Sequence, residues 1–383
     1  MTNGWQTASI GEVAKPIERA EAPMAGITYR QIGVRLWGQG AYERESIDGS
    51  QTKYATLSRV ESGDIVVNKI WARNGSVAVV SDKLSGCFGS SEFPTFAPNR
   101  EKLEPKWFHW MTKTKWFWQA CDEKSQGTSG KNRIRPEKFL EIEIPLPPLD
   151  EQRRIVGRVE ALAARIATIS RLRGEQQKDI RYLLLSSFNK ITENVPRLLM
   201  RDVAPLVRRP VAIDASVDYP ELGIRSFGKG TFHKPAINGA MLGTKRLFRI
   251  ELGDLVFNNV FAWEGAVAVA KKEDKGRAGS HRFITCVPKD KIATSDFLCF
   301  YFLTQEGLEK LGTASPGGAG RNRTLGLEAL GNILVPVPDY EKQVWFDSVQ
   351  ARLASLRQLQ SETEEGLSAL LPSVLDRAFK GEL

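Results

Sequence analysis

The chain has 383 residues, 42% of them apolar and 26% charged. That is room for two or three domains with cores of their own, and it describes a soluble globular protein rather than a disordered one. A formal charge of +9 favours an acidic partner such as nucleic acid, although a merely solvated basic surface has the same sum, and no run approaches the ~18 uncharged apolar residues of a membrane span.

The opening MTNGWQTASIGEVAKP lacks the apolar stretch of a secretory leader, so a cytoplasmic chain is expected. After IGVRLWGQGAYER (32–44), the segment around 60–82 holds GDIVVNKI (63–70) and SVAVVSD (76–82), which read as short strands, with β-branched runs punctuated by Gly, Asn and Asp. KWFHWMTKTKWFWQA (106–120) reads as helical and dense in aromatics, a pattern that serves a core before it serves base stacking. GTSGKNR (127–133) is either an ordinary turn or a loop bringing backbone amides, Lys131, Asn132 and Arg133 to phosphate. EIPLPPLDEQRRIV (143–156) then ends a strand at Pro145, Pro147 and Pro148, because proline cannot donate to a ladder. Asp150 and Glu151 follow in a first helical turn, where the helix dipole favours negative charge.

The helix so begun has apolar residues at Ile155, Val159, Leu162, Ile166 and Ile169, then Ile180 and Leu183. The four-three alternation is that of a coiled-coil seam, with Arg173 and Gln176 as its polar centre. Gly174 there weakens the helix by about 1 kcal/mol, as does Gly366 in the last helix, and local kinks are expected at both.

The second half repeats the first. LGIRSFGKGTFHK (222–234), IELGDLVFNNVFAWEGAVAVA (250–270), GSHRFITCVP (279–288) and GRNR (320–323) each align with a segment 190 residues earlier. SDFLCFYFLTQEGLEKL (295–311) answers the aromatic helix, and ILVPVPDYEKQVWF (333–346) answers the hinge, shifted by one residue so that Pro336 aligns with Pro145. The last helix has its seam at Val349, Leu353 and Leu356, turns polar at Gln360 and Thr363, and resumes at Leu367, Leu370 and Val374. Seams that are apolar at their ends and polar in the middle fit an antiparallel pair in which Arg173 and Gln176 meet Gln360 and Thr363. The expected fold is α+β: two tandem-repeat mixed α/β globular domains, 1–145 and 193–336, joined by long antiparallel coiled-coil helices, 146–192 and 337–383, with approximate two-fold symmetry.

Catalytic signatures are missing. There is no G-x-G-x-x-G, no P-loop and no Asn-Pro-Pro-aromatic run. His109, His233 and His281 are not spaced for a triad or a metal, and Cys87, Cys121, Cys286 and Cys299 stand singly as small core residues of a reducing compartment. PDYEK (338–342) has the letters of a nuclease site, but its register places it in the hinge. No catalytic residue, metal or cofactor is expected in this chain.

The repeat sorts the polar residues. Arg35 with Arg225, Lys131 with Arg321, Asn132 with Asn322 and Arg133 with Arg323 are shared, which suits frame or phosphate contacts carrying no sequence information. Gln39 against Lys229, Glu43 against His233, Lys69 against Asn259, Arg73 against Trp263 and Asn74 against Glu264 differ within the shared frame, which suits the reading of different bases. Arg and Lys match guanine, Asn matches adenine, and Glu accepts from cytosine; each residue taken singly fits solvated surface better than a base contact, while some of the set are expected to face DNA.

IPLPPLDEQRRIV and the closing LLPSVLDRAFKGEL resemble the central and distal conserved regions of the specificity subunit of type I restriction-modification systems. GVRLWGQGAY and GDIVVNKIWARNG resemble segments of that family's target recognition domains, so the resemblance spans essentially the whole chain. The second hinge departs from it, with Asp339 for the second proline and Lys342 for the Glu, while Gln343 is kept. The resemblance implies a non-catalytic reader of double-stranded DNA, each recognition domain taking one half of a split, asymmetric site and the helices acting as a ruler. It implies two methyltransferase subunits docked on the helices, bringing S-adenosylmethionine to methylate an adenine in each half, and a restriction subunit that adds ATP- and Mg-dependent cleavage where one is present. The outer helix faces with Ala378, Phe379 and Leu383 are the candidate dock. Helical tails of about 38 residues would be roughly 57 Å long, enough to hold two readers about one DNA turn (~34–36 Å) apart. The residues alone leave open a dumbbell scaffold that joins protein partners without reading DNA.

Overall fold

The computed structural model describes residues 5–126, 132–317 and 323–383. It divides into two compact units, one of Met1–Arg173 with Gln360–Leu383 and the other of Gly174–Leu359.

In the first unit the chain is closed by its own ends, Thr7–Ser9 pairing antiparallel with Glu143–Pro145. Behind that pair an antiparallel sheet runs in the order Val77–Val79, Ile65–Val67, Thr95–Pro98, Ala14–Ile17. Of its β-branched runs, Ile65–Val67 is an inner strand with all three residues buried, and Val77–Val79 is the edge beside it. The second unit repeats the plan. Arg197–Leu199 pairs with Leu334–Pro336, and Val267–Val269, Leu255–Asn258, Phe283–Cys286 and Leu206–Val207 follow one another in the same sheet order. Both sheets rest on an ion pair between equivalent residues. Arg19 grips Asp64 through both carboxylate oxygens (2.6 and 3.3 Å), and Arg209 grips Asp254 (2.7 and 3.1 Å).

The aromatic segments are helical and form core, each as two helices. Pro105–Met111 and Lys115–Glu123 in the first unit, and Ser295–Phe302 and Gln305–Thr313 in the second, break at a threonine N-cap, Thr114 or Thr304. Thr304 accepts the Gly307 N–H at 3.2 Å, which satisfies a donor that a continuous helix would have bonded internally. Trp107, Phe108, Phe117 and Phe139 fill the first core, and Phe257, Phe297, Tyr301 and Phe302 the second.

The hinge is a buried glutamine. Gln152 has no exposed surface; its amide donates to Lys102 O (2.9 Å) and Pro147 O (2.8 Å) and accepts the Glu104 N–H (2.9 Å). Gln343 does the same with Ile292 O (2.9 Å), Pro338 O (2.8 Å) and the Thr294 N–H (3.1 Å). Each glutamine ties the strand end, the helix start and a loop of its own globular part together.

The helices run unbroken over Leu149–Thr192 and Tyr340–Phe379, through Gly174 and Gly366. In the first unit Ile155 and Val159 are buried in one cluster with Leu375, Ala378 and Phe379, and Leu162, Ile166 and Leu367 are half-buried. At the far end of the same pairing Arg173 donates to Thr363 Oγ1 (2.7 Å) and Glu364 Oε2 (2.9 Å), so these segments are antiparallel with a polar centre. In the second unit Val349 and Leu353 are half-buried beside Ile180, Leu184, Phe188 and Phe346. Three seam residues face solvent instead: Ile169 (40%), Leu356 (45%) and Leu370 (40%). Leu183 is also exposed and Leu184 buried, because here the stripe changes to four-residue steps that meet the globular core.

Candidate nucleic-acid interface

Each unit presents two loops locked edge to edge. In the first unit the strand Ile65–Val67 ends at Asn68, whose Oδ1 accepts the N–H groups of Ile70 (3.1 Å) and Trp71 (3.3 Å). A tight turn over Ala72–Asn74 follows, closed by Gly75 at φ 77°. The second unit matches it: Asn258 Oδ1 accepts the Val260 N–H (3.1 Å), and Ala262–Glu264 closes on Gly265 at φ 78°. A Cβ on Gly75 would lie 2.7 Å from Trp118 Nε1 and 2.8 Å from Gly38 N, so glycine is required for close approach as well as for handedness.

The second loop is the tip of the hairpin that precedes it in the chain. Trp37 and Gly38 donate their N–H groups to Asn74 O (2.6 Å) and Gly75 O (3.0 Å); Phe227 and Gly228 donate to Glu264 O (2.8 Å) and Gly265 O (3.0 Å). Trp37 and Phe227 are left-handed, at φ 59° and 62°, a strain of about 1–3 kcal/mol for a bulky residue. Their side chains are 54% and 73% exposed.

The positions singled out by the repeat gather around these loops. Arg35 lies over the Tyr42 ring (4.5 Å) and Arg225 over the Phe232 ring (5.1 Å), each exposed at a hairpin base. Gln39 and Lys229 are exposed at the tips. Arg73 and Asn74 on one turn correspond to Trp263 and Glu264 on the other, all half-buried. Glu264 accepts from Ser226 Oγ at 3.1 Å, and Trp263 donates to Val260 O at 3.0 Å. Lys69 and Arg133 converge on Glu92 Oε1, at 3.9 and 3.1 Å. In the second unit Asn259 and Arg282 occupy the places of Lys69 and Glu92, and Arg323 stacks over Trp263 at 5.0 Å. Asn259 Oδ1 is buried without a hydrogen bond. Asn132 is half-buried, while Lys131, Arg321 and Asn322 lie outside the described residues.

Several expectations change. His233 is not a free reader, because its Nε2 lies 3.0 Å from Oδ1 of buried Asp274. Glu43 is likewise paired, and the hydrogen bond from Arg30 holds its carboxyl below the usual range. Ala378 and Phe379 are core residues rather than a dock: the Phe379 ring lies 4.5 Å from that of Trp107, centre to centre. Two pairs of positions went unmarked in the sequence. Glu92 and Arg282 differ inside the aligned segments GSSEFPTFAP and GSHRFITCVP, so the rule that selected Lys69 and Asn259 selects them too. Trp37 and Phe227 keep an aromatic, a signal that looks like frame until the backbone angle is known.

Among the described residues no group of three or more His, Cys, Asp or Glu is placed to hold a metal ion, and no helix is long and apolar enough to cross a membrane. No curated protein matches the chain. Among solved structures the chain is similar to the HsdS subunit from Thermoanaerobacter tengcongensis, at 23% identity over 100% of this chain and 98% of that one, with a TM-score of 0.65. It is also similar to a chain from work on complex assembly and conformational transition of the type I R-M system, at 21% identity, 100% and 99% coverage, and a TM-score of 0.69. The family described as type I restriction modification DNA specificity domain matches residues 2–176. Residues 2–176 therefore belong to the type I restriction modification DNA specificity domain family, and the whole chain has the fold of an HsdS subunit.

Proposed function

We propose that the chain reads a split, asymmetric DNA site, one half through each globular part, and directs adenine methylation by partner subunits without catalysing it. One observation carries this reading. The same loop pair is built twice on the same frame, with different side chains at the three positions 69/259, 73/263 and 74/264. Shared cations such as Arg35 and Arg225 then supply phosphate contacts common to both halves, and the differing residues supply the sequence. The two long helices, one of 44 residues and so about 66 Å long, fix the spacer between half-sites. Two methyltransferase subunits would bring S-adenosylmethionine, and a restriction subunit would add ATP- and Mg-dependent cleavage.

Sequencing of modified bases in host DNA, with the gene intact and deleted, tests the proposal. Loss of adenine methylation at one split motif is the expected result. Unchanged methylation with the methyltransferase expressed, together with duplex binding that ignores salt, would favour a protein scaffold instead. A DNA reader should show a log–log salt slope of about −0.9 for each phosphate neutralised.

A further inference from the structure

We infer that Trp37 and Phe227 are aromatic wedges that meet the bases of bound duplex, one in each half of the site; the inference rests on the DNA-reading proposal above. The hairpin tips need left-handed residues, and the chain uses glycine for the others: Gly38 and Gly40 at φ 64° and 84°, Gly228 and Gly230 at 64° and 76°. Glycine would fill the remaining place at no steric cost. Both copies put a large ring there instead, although Leu36/Ser226 and Gln39/Lys229 beside it have diverged.

Packing does not account for the choice. Trp37 touches Trp118 at a tilt, 5.7 Å between centroids, and stays half-exposed. Phe227 is the more exposed of the two, with the Lys229 ammonium 6.0 Å from its ring. The backbone that carries each ring is fixed, since its own N–H and the next are both bonded to the turn carrying the differing residues. One cation lies at each tip: Lys113 donates to Gly38 O at 2.9 Å in the first unit, and Lys229 sits on the tip in the second. An exposed apolar ring on a fixed backbone, with a cation at the same tip, suits insertion at a base step, where it unstacks the step and kinks the duplex. Every base has a π-face, so such a contact tolerates sequence. The ring can therefore be common to both units while its neighbours differ.

The test uses the full chain and duplexes it selects from a random-sequence pool. In Phe227→Gly the backbone strain is relieved and the wedge removed together. Its Tm should rise by a few degrees while binding weakens about tenfold, with the salt slope unchanged because no phosphate contact is lost. 2-Aminopurine placed along the selected site should brighten at one step in each half with the native chain. Phe227→Gly should abolish the signal in one half, and Trp37→Gly, which likewise removes the ring and suits the left-handed backbone, should abolish it in the other. A Phe227→Gly chain that binds within twofold of the native one overturns the inference, as does a binding loss that tracks a fall in Tm. If the native chain selects no duplex, the DNA-reading proposal itself fails and takes this one with it.

Discussion

Gln152 and Gln343 carry the junctions between globular part and helix. Replacing Gln152 with Leu would leave the Glu104 N–H and the Lys102 and Pro147 carbonyls unpartnered in a fully buried site. Loss of the three bonds should cost about 3 kcal/mol, seen as a lower denaturation midpoint, and Gln343→Leu should cost the same because its partners are equivalent. A second prediction concerns Asp347, whose carboxyl is raised to about 6, first by burial and further by the charge of Asp296. Between about pH 4 and 6 the folded chain holds this proton and the unfolded chain has lost it, so folding loses stability as pH rises through that window. Asp347→Asn should therefore stabilise above pH 6, by about 1–2 kcal/mol after allowance for solvent screening, and have no effect below about pH 4; melting curves across that range check it. The glutamines were legible in the sequence as the letter both hinges keep. The Arg19–Asp64 and Arg209–Asp254 pairs were not, because their members lie 45 residues apart and no local period connects them.

For the helices, periodicity was a good guide over Ile155–Ile166 and at the polar centre, and a poor one at Ile169, Leu356 and Leu370, which face solvent, and beside the second core. The four-three stripe found Ile155, Val159, Leu162 and Ile166, and the polar interruption located the contact of Arg173 with Thr363. It failed where the helix stops facing a helix and starts facing a domain. Leu184 and Phe188 are buried in place of Leu183 because they pack against the core, the Phe188 ring 5.2 Å from that of Phe297. Phe379 likewise serves the core that holds Trp107 and Trp116. The same division sets the energetics. Phe379→Ala should cost about 3–5 kcal/mol through the cavity it leaves. Arg173→Ala, which removes a bond to exposed Glu364 and one to Thr363, should cost under about 1 kcal/mol. Chemical denaturation of the two variants side by side measures the contrast, and equal costs would contradict this account of where the helices are anchored.

At the scale of the whole molecule the repeat is the controlling fact, because a frame used twice with different side chains is its own control. The sequence separated shared from differing positions, but it could not say which differing residues are already committed inside the protein. Glu92 decides that for Lys69 and Arg133, since both converge on its Oε1. A transplant of the second loop into the first unit must therefore change four residues: Lys69→Asn, Arg73→Trp, Asn74→Glu and Glu92→Arg. Without the last, Glu92 would keep Arg133 and lose Lys69, a state found in neither unit. With all four, the host methylation motif should change in one half and keep its other half and its spacer. Arg35→Gln should do the reverse, leaving the motif intact and making the salt slope shallower by about 0.9, because one phosphate contact is lost. If the four-residue exchange leaves the motif untouched while binding persists, the loop pair is not where bases are read. If Arg35→Gln alters the motif, the sorting of shared residues to phosphate is wrong.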